Sequence, residues 1–212
     1  MKKAYISNPV ISRLPRYYRC IEQLCASGVS RISSSALSEL LGLTASQVRQ
    51  DFGCFGEFGQ KGYGYNVPKL RDELREILGL SRELTAIILG CGNLGRALIN
   101  NFDFSFCGIR LIGAFDPDPQ LVGEVMNGLT VRDYGEVHAF MAEEHPVVAI
   151  LTVPGSQSQI VSELLTHEGI RGIWNFTQQE VQVDDPNVVV ENVILLDSLM
   201  TLSYKINEGL SV

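Results

Sequence analysis

The chain has no apolar run near the roughly 20 residues a bilayer-spanning helix needs. It is also poor in the residues that build metal and acid–base sites, with three histidines and five cysteines in 212 residues. The cysteines (Cys20, Cys25, Cys54, Cys91, Cys107) show no CxxC spacing, so zinc and disulfide-exchange frameworks are excluded and no metal is expected. Met1-Lys-Lys leads into polar, proline-containing sequence instead of an apolar leader. The expectation is a cytoplasmic chain with reduced thiols.

Positive charge is scarce overall, at a net −7, but it is unevenly placed. Residues 1–80 carry 11 Lys/Arg against 7 Asp/Glu; residues 81–212 carry 6 against 17. A basic N-terminal segment on an acidic body points to a polyanion partner for the N-terminal part alone.

The densest motif is Thr85-Ala-Ile-Ile-Leu-Gly90-Cys91-Gly92-Asn93-Leu94-Gly95. An apolar strand enters a Gly-x-Gly-x-x-Gly turn, and a helical pattern follows. Gly90 permits the tight turn, Gly92 lets backbone approach a pyrophosphate, and Gly95 lets the helix lie against the strand with its amides aimed at phosphate. Cys91, inside this loop, reads as a small residue in a tight turn. A second apolar run ends at Asp116, 21 residues after Gly95. A carboxylate there is placed to bind a ribose 2′-hydroxyl and to repel a 2′-phosphate, which favours NAD(H) over NADP(H).

Upstream, Pro15 to Cys25 has helical spacing with Tyr18, Ile21, Leu24 and Cys25 on one face, and Gly28 follows as a stop. Ser33 opens a helix over Ala36–Leu41, Gly42 ends it, and Thr44 caps a helix over Ala45–Phe52. Helix, short glycine turn, helix is the helix-turn-helix pattern. Ser46, Gln47, Arg49 and Gln50 can reach base edges or phosphates, while Val48 and Phe52 face the core. Residues 53–65 mix five glycines with aromatics and suit a hairpin, or wing, with Gln60, Lys61 and Tyr63 at its tip. An ordinary glycine-rich hairpin explains that segment alone equally well; the preceding helices and the basic charge tip the reading to DNA.

Val67-Pro68 is expected to begin a linker helix, Lys69 to Leu78, with a boundary near Gly79–Glu83. Beyond it come strands at Ala86–Leu89, Leu111–Phe115, Leu129–Val131, Val147–Thr152, Gly172–Asn175 and Val188–Glu191. Helices are expected at Leu94–Asn101, Tyr134–Glu144 and Gln157–Glu168. This alternation predicts an α/β fold with a doubly wound parallel Rossmann sheet, and places the Thr152-Val153-Pro154 loop at a strand's carboxyl end, where ligands bind. A final helix over Asn192–Asn207 presents Leu195, Leu196, Leu199, Leu202 and Ile206. So apolar a stripe needs cover, from its own domain or from a second subunit.

The ordered motifs Ile11-Ser-Arg13-Leu14, Ser46-Gln-Val-Arg49, Phe55-Gly56, Gly62-x-Gly-Tyr65, Gly90-x-Gly-Asn-Leu-Gly95, Leu151-Thr-Val-Pro154, Asn175-Phe176 and Val190-Glu-Asn-Val193 make the chain resemble the Rex family of bacterial redox-sensing repressors over nearly its whole length. The resemblance implies a winged-helix domain over 1–80, an NAD(H) domain over 81–190 and a dimerisation helix over 191–212, swapped between the subunits of a homodimer. It implies a palindromic operator released by NADH. DNA contacts would come from Arg13, Ser46, Gln47, Arg49, Gln50, Lys61 and Tyr63. Dinucleotide contacts would come from Gly90, Cys91, Gly92, Asn93, Leu94, Gly95, Asn101, Asp116, Thr152, Val153 and Pro154.

The chain departs from that family's pattern at several positions. Gln50 stands where the family usually has Lys, Lys61 where it has Arg, and Gly53-Cys54 where it has Ser-Tyr. Asn101 replaces a Tyr, and Ile194-Leu195 an Asp-Phe, that with an Arg matching Arg19 form a polar redox switch. A regulator that has lost NADH discrimination is therefore one alternative.

An NAD-dependent oxidoreductase is the alternative from another class. His138, His145 and His167 fall on helices or their ends, no Tyr-x-x-x-Lys occurs in the second half, and about 130 residues leave no room for a substrate domain. The expectation is thus binding linkage without catalysis, in which DNA and NADH favour different domain orientations and each weakens the other.

Overall fold

The computed structural model describes residues 6–56, 58–60 and 63–210. Lys61, an expected DNA contact, lies outside the described residues. The chain divides into two compact units between Arg82 and Glu83.

The first unit opens with α1 (Asn8–Ala26). The expected start at Pro15 is corrected: Pro9 occupies the first turn, and Pro15 lies inside the helix on an exposed face. An interior proline costs about 3 kcal/mol. Here the buried stripe Val10, Leu14, Tyr17, Tyr18 and Ile21 runs through it and outweighs that cost. A two-residue strand, β1 (Arg31–Ile32), follows; nothing so short leaves a periodic signal in sequence.

Next come α2 (Ser34–Leu41) and α3 (Ala45–Gly53). Ser33 Oγ accepts from the Ala36 amide and Thr44 Oγ1 from the Gln47 amide, so both N-termini are capped as their sequence implies. Gly42 closes α2 in the left-handed region at φ +64°.

Strands β2 (Gly59–Gln60) and β3 (Gly64–Asn66) form the hairpin, and β3 also pairs with β1, giving an antiparallel sheet ordered β1-β3-β2. Linker helix α4 (Val67–Ile77) begins at Val67-Pro68 as its sequence implies: Asn66 Oδ1 caps the Lys69 amide and Pro68 sits in the first turn. Phe52 is the aromatic hub of this unit's core, 4.8 Å from Tyr17, 5.2 Å from Tyr65 and 5.4 Å from Phe58.

The second unit runs β4 (Leu84–Leu89), α5 (Asn93–Asn101), β5 (Ile109–Asp116), β6 (Val125–Met126), β7 (Leu129–Asp133), α6 (Val137–Glu144), β8 (Val148–Leu151), α7 (Gly155–His167), β9 (Gly172–Asn175), β10 (Val189–Asn192) and α8 (Leu195–Leu210). The sheet order is β10-β9-β8-β4-β5-β7-β6. All neighbours pair in parallel except β6 and β7. That hairpin turns at Asn127-Gly128, both at positive φ, the two-residue turn that suits a twisted antiparallel pair.

Helix α5 covers one sheet face, packing Ile99 on Ala86, Ile88 and Ala114. Helices α6 and α7 cover the other with Phe140, Met141, Val161 and Leu165 on Ile87, Leu89 and Ile173. Chain order reverses between β4 and β8, which sets a crevice at their carboxyl ends.

The last helix begins at Leu195, not Asn192. Asn192 is the end of β10, aligned with Asn175, and its Oδ1 accepts from Asn175 Nδ2 and the Val181 amide. Along α8, Leu195, Leu196, Leu199, Met200, Leu202, Tyr204 and Ile206 are each more than half exposed. Among the described residues no helix is long and apolar enough to cross a membrane.

Candidate dinucleotide and nucleic-acid sites

The glycine turn is fixed by contacts that leave no room for side chains at two of its three glycines. Gly90 sits at φ +94°, and a Cβ there would lie 2.7 Å from the Thr152 carbonyl; one at Gly95 would lie 1.9 Å from the Gly90 oxygen. The start of α5 is thus pressed onto the end of β4. A Cβ at Gly92 would meet nothing within 4 Å among the described residues. That open side lies at the N-cap of α5, where no side-chain cap is made, so the leading amides and the helix dipole are left for an anion.

Asp116, 7% exposed, ties this turn to β5. Its Oδ2 accepts from the Cys91 amide at 2.6 Å and its Oδ1 from the Asp118 amide at 2.8 Å. Each oxygen keeps a lone pair, enough to accept from a ribose hydroxyl. The Cys91 thiol is buried, and burial, with the Asp116 charge, pushes its pKa up to about 12. It is a small core side chain with no thiolate chemistry at neutral pH.

Across the crevice, Thr152 Oγ1 donates to the Gly90 carbonyl at 2.6 Å and the Leu89 carbonyl at 3.1 Å, fastening the Thr152–Pro154 loop to the glycine turn. Asn93 and Leu94 form the first turn of α5. Asn101 is a different case. It ends α5, and its Nδ2 donates to the Ala97 carbonyl. Six residues of helix, about 9 Å of rise, separate it from Gly95, so the structure does not bring it to the turn.

Sequence reasoning missed the polar buckle on the β8–β10 side. Asn175, fully buried, donates to Gln179 O and Asn192 Oδ1 and accepts from the Thr177 amide. The connection from β9 to β10 is a loop, and these bonds give its polar groups partners in place of a helix. Next to it Trp174 packs on Phe102 and Phe176, with ring centroids at 5.4 and 4.4 Å.

In the first unit, α3 turns Val48, Asp51 and Phe52 inward and leaves Ser46, Arg49 and Gln50 exposed, with Gln47 half-buried. Arg49 Nη1 donates to Ser34 Oγ, which lays its guanidinium across the start of α2. Tyr63 is 69% exposed beside the hairpin turn. Arg31 organises it by donating to the Tyr63 carbonyl and placing its guanidinium 5.9 Å from the ring centroid. Only the pairing of β1 with β3 brings Arg31 there, so sequence gave no sign of it.

Arg13, among the expected DNA contacts, has its guanidinium turned to Asp51. Its Nε and Nη2 both donate to Asp51 at 2.7 Å, and Tyr17 Oη donates to the same carboxylate at 2.7 Å. Burial pushes the Asp51 carboxyl up, but the hydrogen bonds from Arg13 and Tyr17 outweigh it and hold the group below the usual carboxylate range. The Arg13 fork is engaged inside the protein.

The histidines form no acid–base site. His138 Nδ1 pairs with Glu168 Oε1 at 2.8 Å on an exposed helix face, His145 caps α6 in the left-handed region, and His167 ends α7.

Residues 5–53 match a family model described as the N-terminus of putative DNA-binding proteins, and residues 81–179 match a CoA-binding domain model. Over 209 residues the chain is 49% identical to the redox-sensing transcriptional repressor Rex of Caldicellulosiruptor saccharolyticus, covering 99% of this chain and 95% of that protein. It is 45% identical to Rex of Clostridium tetani, covering 98% of each. Among solved structures it is similar to RSP in complex with β-NAD+ and operator DNA, at 45% identity and TM-score 0.91, covering 97% of this chain and 94% of that one. RSP in complex with β-NADH superposes with TM-score 0.89 at 42% identity, covering 97% of this chain and 96% of that one.

A winged helix-turn-helix joined to a Rossmann unit with a dinucleotide-type turn defines a ligand-responsive transcriptional regulator, not an enzyme. The regulator in question is a redox sensor: the chain belongs to the Rex family of redox-sensing transcriptional repressors.

Proposed function

We propose that this chain represses transcription by binding operator DNA through its first unit and is released when NADH binds its second. One observation carries the reading: a single chain holds an exposed polar helix face beside a wing and, in its other unit, a glycine turn tied to a buried Asp116. The solved relative RSP is described with β-NAD+ and operator DNA together and, separately, with β-NADH.

Ser46, Gln47, Arg49, Gln50, Lys61 and Tyr63 are assigned to DNA. Gly90 to Gly95, Asp116 and Thr152 to Pro154 are assigned to the dinucleotide. The open side of Gly92 and the uncapped start of α5 fit a pyrophosphate, and the Asp116 oxygens fit a ribose. NAD(H) supplies a two-electron redox state that is read, not used. Each ligand then weakens the other by one coupling free energy, typically 1–3 kcal/mol.

The active form is read as a cytoplasmic homodimer joined through α8, whose apolar stripe is left exposed by the described residues of its own unit. A two-fold dimer matches a palindromic operator.

The test is fluorescence anisotropy of a labelled duplex recovered by selection from a randomised library, titrated with NADH and then NAD+ at fixed salt. Release by NADH but not NAD+ is expected. Release by neither would mean that Asn101 and Ile194, standing where the family has its polar switch, have uncoupled the sensor.

A further inference from the structure

We infer that Arg13 and Tyr17 are positioning residues for DNA recognition, holding helix α3 in register through Asp51 rather than touching DNA. The inference rests on the assignment of α3 to DNA made above. Asp51 lies on α3 directly after Gln50, with its side chain 4% exposed and turned away from the helix's exposed face. It accepts three hydrogen bonds of 2.7 Å, all from α1: two from the Arg13 fork and one from the Tyr17 hydroxyl.

The other buried side chains of the helix are Val48 and Phe52, whose apolar contact is non-directional, and the Arg49 bond to Ser34 is exposed to solvent. A nine-residue helix seated on two apolar side chains can roll. A roll of about 20° would move side-chain tips 5–6 Å from the axis by about 2 Å. That exceeds the roughly 0.5 Å range over which a hydrogen bond to a base edge survives. A bidentate fork and a third donor on one carboxylate fix both the rotation and the height of α3. A buried ion pair is a weak source of net stability, because desolvation offsets the attraction. Its distinctive product is geometry, and here the geometry is that of the helix carrying Ser46, Gln47, Arg49 and Gln50.

The two readings of Arg13 make opposite predictions. A phosphate contact tolerates lysine, which keeps the charge, and is indifferent to Tyr17. A positioning fork does not tolerate lysine, whose point charge cannot reproduce two parallel bonds, and it weakens when the Tyr17 hydroxyl is lost.

The experiment uses the full chain. Affinities of wild type, Tyr17→Phe, Arg13→Lys and Arg13→Gln are measured for the selected duplex and for a scrambled one across a salt series, after thermal melts confirm that each variant is folded at the assay temperature. Tyr17→Phe removes one oxygen and leaves charge and packing in place, so it keeps the test valid if Arg13→Lys does not fold. The expected result is a roughly ten-fold loss on the selected duplex for each variant, a loss typical of a hydrogen bond to a charged group. Scrambled-duplex affinity and the salt slope should not change. Equal losses on both duplexes, or wild-type behaviour of Tyr17→Phe, would overturn the inference. So would an Arg13→Gln salt slope smaller by about 0.9, the mark of a lost phosphate contact. If wild type itself fails to prefer the selected duplex, the assignment of α3 to DNA falls first.

Discussion

The backbone amide of Cys91 donates to a carboxylate oxygen of Asp116 at 2.6 Å, so the acid proposed to meet the ribose also holds the glycine turn in shape. Asp116→Ala should therefore cost more than one ribose contact. Two backbone amides lose their acceptor, and the expected loss of NADH affinity is about ten- to a hundred-fold, from hydrogen bonds to a charged group worth about 1.5–3 kcal/mol. Isothermal titration with NADH checks this. Unchanged affinity would show that Asp116 serves the fold alone.

Gly92 and Gly95 should respond oppositely to alanine. At Gly95 the added Cβ meets the Gly90 carbonyl, backbone against backbone, and overpacking of this kind costs about 1–3 kcal/mol. A melting point lower by several degrees is expected. At Gly92, φ is −64° and the Cβ enters open space, so stability should hold while dinucleotide affinity falls. Melting curves with and without NADH separate the two.

Replacing Leu199 and Leu202 by Asp should convert the proposed dimer to monomer in sedimentation velocity without lowering the melting point of the second unit, since both side chains are exposed. Operator affinity should drop with it, because a monomer spans one half-site. A variant that stays dimeric would place the interface elsewhere.

The thiols should react in a fixed order. Cys54 is exposed and Cys91 is buried. The Cys91 thiol, pushed up to about 12, stays protonated at pH 8. Alkylation should label Cys54 first and Cys91 only on unfolding; Cys54→Ser should remove the fastest phase.

The Asp51 carboxyl is held below its ordinary value in the folded chain. Stability drawn from it is therefore present above the unfolded pKa of about 3.9 and is lost as pH falls through the lower folded value. Urea midpoints measured from about pH 6 down to pH 3 should fall more steeply in wild type than in Asp51→Asn. Parallel curves would remove this role.

Much of this was legible in sequence because the signals were local. Strand, glycine turn and helix at 85–101, the caps at Ser33 and Thr44, and the spacing to Asp116 are each written within a few residues of where they act. Other features were not local. Pro15 looked like a helix start because its cost is visible in sequence, whereas the burial of Leu14, Tyr17 and Tyr18 that offsets it is not. Asn127-Gly128 is a readable hairpin signal, but the strand before it, Val125-Met126, is too short to show a period of its own. Arg13 reads as a free cation until the fold brings Asp51, 38 residues away, onto its fork. The Asn175–Asn192 buckle depends in the same way on the pairing of β9 with β10.

The bond from Thr152 to the Gly90 carbonyl spans 62 residues of chain. Closing so long a loop comes at an entropic cost that helix caps and hairpins avoid, and non-local parallel pairing is slow. The two walls of the crevice are therefore expected to meet late in folding, which would make nucleotide competence one of the last properties a folding chain acquires. On that order a newly made molecule would be blind to the cell's redox state until the crevice closes, and NADH fluorescence enhancement should rise with the slowest refolding phase and not before it.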